Sequence, residues 1–152
     1  MRLHLRVLRV LGMLAIVATA TACDENLSTL AGPTPNLEPT FASIQREIFE
    51  TTDVAGRVAC VNCHTNVGRN PPAGLNLLSS VSYASLVNVA SAQRPTSARV
   101  APGNPSASYL VQKLDGTTGV VGRRMPFNGP PYLSDGQILI LRRWIEIGAP
   151  NN

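Results

Sequence analysis

The chain has 152 residues, room for one domain of about 100–200 residues plus a leader or tail. Its formal charge of +4 sits at the start: Arg2, Arg6 and Arg9 are three of the thirteen basic side chains, no acid precedes Asp24, and beyond residue 22 ten basic groups face nine acids. In a near-neutral body, neither a basic patch nor interleaved aromatics argues for nucleic acid, and none is expected as a partner.

Residues 1–22, MRLHLRVLRVLGMLAIVATATA, have a positively charged start, an apolar run from Val7 to about Val17 and then small residues. That is the layout of an export signal, and the run is short for a membrane span, which needs about 20 residues. A retained amphipathic anchor is the alternative. The run of small residues ends at Cys23, and TATAC resembles the lipobox of bacterial lipoproteins, in which that cysteine is diacylated and becomes the new N-terminus. Ala20 stands where the pattern prefers leucine, and an ordinary signal peptide with a free Cys23 is the competing reading. Acylation would explain an odd thiol in an exported chain and would give a firm membrane anchor. Residues 23–40 contain DENLSTLAGPTPNLEPT, proline-rich and aperiodic, a flexible tether.

The domain is predicted over residues 41–150. Phe41, Ile44, Ile48 and Phe49 fall at helical spacing behind Thr40, which can cap them. Ser82 to about Ala90 carries Tyr83, Leu86 and Val87 on one helical face. Asn104 before Pro105 starts a third helix, with Leu110 and Leu114 on one face and Gly116 at its close. The last helix is doubly specified at its start, by a Ser134–Gln137 capping box and a Leu133–Ile138 staple, and it ends at Gly148 and Pro150. Ile138, Leu141 and Ile145 form its apolar stripe, with Trp144 beside it. No alternating stretch of strand length is evident, and the expected fold class is all-α.

Between the first two helices stands Cys60-Val61-Asn62-Cys63-His64. A zinc site would need a second ligand pair, and the only other candidates are His4 and Cys23, both near the start. A thioredoxin-like dithiol would need a βαβ frame. An incidental disulfide beside a surface histidine is the bland reading. A haem accounts for each residue: two thiols two residues apart can bond the two vinyl groups of a porphyrin, and His64 is then carried under the iron. A second ligand is commonly methionine, which raises the reduction potential. Met1 and Met13 lie in the leader, leaving Met125, in the proline- and glycine-rich RRMPFNG. A methionine is more often core filler, but this one is on no apolar helix face.

With those residues in place the chain resembles a class I cytochrome c, and among these the small planctomycete-type cytochrome c domains of exported bacterial proteins. The resemblance runs in order through IQREIF, CVNCH, GLNLLSSVSYASLV, PGNPSASYLVQKL, RRMP and LSDGQILILRRWIEIGA. It implies a small helical domain around one covalent haem c, with thioethers at Cys60 and Cys63, His64 as proximal ligand and Met125 as distal ligand. ETTDVAGRVA, between Phe49 and Cys60, is longer than these domains place there, so a loop displaces or extends the first helix. A carbonyl should hold the His64 ring, and Pro71 and Pro72 are the candidates.

The expected role is electron transfer, not enzymatic catalysis, by a periplasmic or membrane-tethered lipoprotein of the bacterial cell envelope. Its partners would be redox proteins and, through the Cys23 lipid, the membrane. The competing role is a haem-based ligand sensor or a haem-bearing subunit of a larger redox complex.

Overall fold

The computed structural model describes residues 36–152. The export signal, the lipid site at Cys23 and most of the tether lie outside the described residues. Leu37, in the last part of that tether, is 8% exposed and belongs to the core, and the Ser43 hydroxyl ties its neighbours Asn36 and Glu38 to the first helix.

That helix, α1 (Phe41–Ile44), starts where Thr40 accepts a bond from the Ser43 amide at 3.2 Å, and it continues as one π-helical turn, Gln45–Phe49. The wider turn lets Phe41, Ile44, Ile48 and Phe49 all face inward. Asn152 satisfies the first amides of α1, accepting from Phe41 through its side chain and from Ala42 through its backbone. After a long loop and two 3-10 turns come α2 (Ser82–Leu86), the strands β1 (Ala90–Ser91) and β2 (Arg94–Ala98), α3 (Tyr109–Asp115) and α4 (Asp135–Glu146).

α4 is the scaffold. Its predicted capping box forms in full, and Leu141, Trp144 and Ile145 are wholly buried. Each such side chain contributes about 1.5–3 kcal/mol of burial. Phe41 meets Trp144 at 5.4 Å and Tyr83 edge-on at 5.1 Å, so α1, α2 and α4 share one aromatic seam. α3 packs on α4 and stops at Gly116, whose left-handed backbone (φ 70°, ψ 35°) suits a residue without a Cβ.

The all-α expectation is wrong. α4, at 12 residues, is the longest described helix, and much of the domain is loop, short helical turns and an antiparallel hairpin. β2 reads Arg-Pro-Thr-Ser-Ala and pairs with β1 through an irregular register, Ala90 with Ala98 and Ser91 with Arg94. It buries no hydrophobic face, so it shows no alternation, and Pro95 marks it as an edge strand. The hairpin cuts short the helix expected as far as Ala90: Asn88 adopts φ 59°, and Val87 bridges to Val100. α3 also starts later than expected, at Tyr109, because Asn104 caps only the turn through Ala107.

The loop between the π turn and Cys60 closes on a buried ion pair: Arg57 Nε donates to Asp53 Oδ2 at 3.0 Å, with side chains 0% and 8% exposed. The Arg57 fork also reaches the Ile48 carbonyl at 3.2 Å, tying this unusually long segment to the end of the π turn. Asp53→Ala leaves the guanidinium buried without its counter-charge, and a loss of about 3–5 kcal/mol is expected in denaturant unfolding. Glu146→Ala breaks the exposed Arg143 pair and should cost less than about 0.5 kcal/mol. Equal effects from the two substitutions would show that the Asp53–Arg57 pair does not hold the loop.

Candidate functional site

Cys60–Asn62 is a single 3-10 turn in which the Cys63 and His64 amides both donate to the Cys60 carbonyl, at 3.2 and 2.9 Å. The turn brings Cys60 and His64 to one side. Cys63 is exposed, Cys60 is half-buried, and both thiols are free. Burial pushes the Cys60 thiol above its ordinary pKa, and the nearby Arg57 charge works the other way.

His64 is held at two points. Its carbonyl accepts from the Leu77 amide at 2.9 Å, and its Nδ1 lies 3.3 Å from the Leu75 carbonyl. A carbonyl can only accept, so Nδ1 carries the proton and Nε2 keeps the free lone pair. The acceptor is Leu75; the carbonyls of Pro71 and Pro72, the expected candidates, do not fill this place, because Pro72–Gly74 forms its own 3-10 turn. Behind Leu77, the Gln45 side-chain amide donates to the Leu77 carbonyl at 2.8 Å and its oxygen accepts from Ser82 Oγ at 2.7 Å, locking α1, this strap and α2 together.

Met125 sits in a loop clamped to the end of α3. Its amide donates to the Lys113 carbonyl at 2.8 Å, Arg124 Nε donates to the Leu114 carbonyl at 2.6 Å, and Lys113 Nζ donates to the carbonyls of Val121 and Arg123 at 2.8 and 2.5 Å. Tyr132 lies so close to Gly129 that a Cβ there would meet its ring at 2.4 Å, and the same ring carries the Arg124 guanidinium at 4.2 Å. The loop is a built support for the methionine.

Cys60, Cys63, His64 and Met125 all line one cavity of about 490 Å³, within the roughly 300–1,000 Å³ of cofactor and ligand sites. Most of the remaining wall is hydrocarbon, including Ile48, Phe49, Leu77, Leu86 and Leu114. Its size and its apolar wall suit an apolar guest. The residues fit a c-type haem: two free thiols, an imidazole with its outer nitrogen satisfied, and a supported thioether surround one apolar space. Among the described residues no three His, Cys, Asp or Glu side chains gather as a zinc site would need, and no helix is long and apolar enough to cross a membrane.

The sequence reading missed four contributors: the Leu75 carbonyl, Arg57, and the cavity-lining cations Arg99 and Lys113. A signal for the cations was present, since no acid occurs between Asp53 and Asp115.

Burial holds the His64 imidazole below its ordinary pKa; the Leu75 bond opposes this, and the charges of Arg99 and Lys113 reinforce it. With a depressed folded pKa, the unfolded chain takes up the proton first. The corresponding stability is present above the free-imidazole value of about 6.5 and is lost as pH falls below it, by at most about 1.4 kcal/mol per pH unit. For the chain without haem, unfolding between pH 7 and pH 5 should show this slope, and His64→Gln should flatten it. A ring titration by NMR at or above 6.5 would contradict the assignment.

No protein-family model, curated protein or solved structure matches the chain. Its chemistry is read from these residues alone.

Proposed function

We propose that the domain carries one covalent haem c and serves as an electron-transfer protein of the bacterial cell envelope. The observation that supports this most is the convergence of Cys60, Cys63, His64 and Met125 on one apolar cavity. When bound, the haem iron supplies a one-electron couple.

Each residue then has a definite task. Cys60 and Cys63 form the two covalent tethers, and the 3-10 turn fixes their relation to His64. Leu75 fixes the tautomer of His64 and leaves Nε2 to ligate. The α3 clamp presents the Met125 thioether, which favours the reduced state. Ile48, Phe49, Leu86 and Leu114 would lie against a bound haem and would lower the dielectric around it. The role is that of a c-type cytochrome in its chemistry, on a mixed fold. Placement in the envelope rests on residues 1–22 and on lipidation at Cys23, which would hold the domain at a membrane near its redox partners.

Cys60→Ser with Cys63→Ser should abolish covalent haem, read as loss of the haem-stained band on a denaturing gel. A normal band would remove the attachment sites from the proposal.

Met125→Ala should keep covalent haem near the wild-type level, move the ferric spectrum toward high spin, admit carbon monoxide to the reduced form, and lower the potential by at least one tenfold step, about 59 mV for one electron. An unchanged spectrum and potential would make Met125 packing. Carbon monoxide binding already present in the wild type would favour a ligand sensor over a carrier.

A further inference from the structure

The charge pattern around the cavity is one-sided. The described ion pairs join Arg46 to Glu47, Arg57 to Asp53, Arg142 to Asp115 and Arg143 to Glu146. Arg99 and Lys113, both in the cavity wall, belong to none of them, and no carboxylate among the described residues lines the cavity. Lys113 is 7% exposed, and two of its three ammonium hydrogens go to the carbonyls of Val121 and Arg123. Arg99 donates through Nη1 to the Ser85 carbonyl at 2.7 Å and through Nη2 to the Ala73 carbonyl at 2.9 Å, which fixes the guanidinium and leaves three of its five hydrogens without an assigned partner. A cation set into an apolar wall and held by neutral carbonyls still lacks a counter-charge, and desolvation makes that lack costly. Burial accordingly lowers the pKa of both groups, and both charges are felt at His64.

We propose that Arg99, assisted by Lys113, is a carboxylate receptor within the cavity that pairs with the acid side chains of the porphyrin held at Cys60–His64. This rests on the haem reading and adds a second anchoring point that depends on charge where the first is covalent. Arg99 directly follows β2, so the hairpin, which has no role in tethering or ligation, acquires one: it carries the counter-charge. Gln93, in the turn between the strands, lines the same cavity; its oxygen accepts from the Tyr109 hydroxyl at 3.5 Å, and its side-chain N–H is a neutral donor for the same carboxylates.

The test uses the full chain with reduced thiols and no attached haem, titrated with iron(III) protoporphyrin IX and, separately, with its dimethyl ester, which has the same apolar body and no charge. The wild type should prefer the diacid by about tenfold or more, the worth of one charge-assisted bond at a part-exposed site. Arg99→Gln should bring the ratio close to one. Arg99→Lys, which keeps the charge and loses the planar fork, should give an intermediate ratio and provides the readout if the glutamine variant fails to fold. Equal binding of diacid and diester by the wild type, or an unchanged ratio in Arg99→Gln, overturns the receptor while leaving the haem reading in place. Binding of neither porphyrin overturns both.

Discussion

Two hydrogen bonds between one turn and one strap organise the domain. The Leu77 amide meets the His64 carbonyl, and His64 Nδ1 meets the Leu75 carbonyl, so the imidazole can neither rotate nor change tautomer without breaking the strap. The strap is held in turn by Gln45 from the π turn and, through Gln45, by Ser82 at the start of α2. Ile48 and Phe49 follow Gln45 on that π turn, and Leu86 ends α2; all three line the cavity. The same contacts that fix the ring therefore set one wall of the space before it.

Such economy suits a domain of this size. A small chain buries a limited share of its surface, and its single interior must serve as core and as site. α4 supplies conventional core, with Trp144 wholly buried and its indole N–H satisfied by the Pro150 carbonyl at 2.9 Å. Part of the same core cluster, including Ile48, Phe49, Leu86 and Leu114, also lines the cavity. If a ligand provides part of the packing surface, as proposed, the chain needs correctly placed side chains more than long helices, in keeping with a 12-residue helix beside loops and a two-stranded hairpin.

The sequence displayed what is encoded locally. The α4 capping box, the Thr40 cap and the Gly116 stop each involve residues within a few positions of one another, and each forms as its pattern predicts. The spacing of Cys60, Cys63 and His64 and the exclusion of the two leader methionines singled out four residues that line one cavity. What escaped depended on distant partners or on surfaces without hydrophobic contrast. The Leu75 carbonyl is eleven residues from His64 in a segment with no marking side chain. β2 has no apolar face to alternate. Arg99 becomes informative only when seen to lack a carboxylate partner beside a cavity, because an isolated arginine in a sequence looks like any solvated charge. The all-α expectation failed for the same reason: helices announce themselves by periodicity, whereas a polar hairpin does not.

The cavity also bears on the life of the protein in the cell. If the interior is completed from outside, the loaded and unloaded chains are separated by a large part of the folding free energy, since a ligand that binds only the folded state stabilises it by mass action. On that reading, unloaded molecules would spend more time open and be the ones that proteases cleave, whereas loaded molecules would persist. Turnover then acts as an inspection step that needs no dedicated recognition signal: the steady-state amount of the protein follows the supply of its cofactor, and a chain that misses its cofactor is removed before it can occupy a partner unproductively.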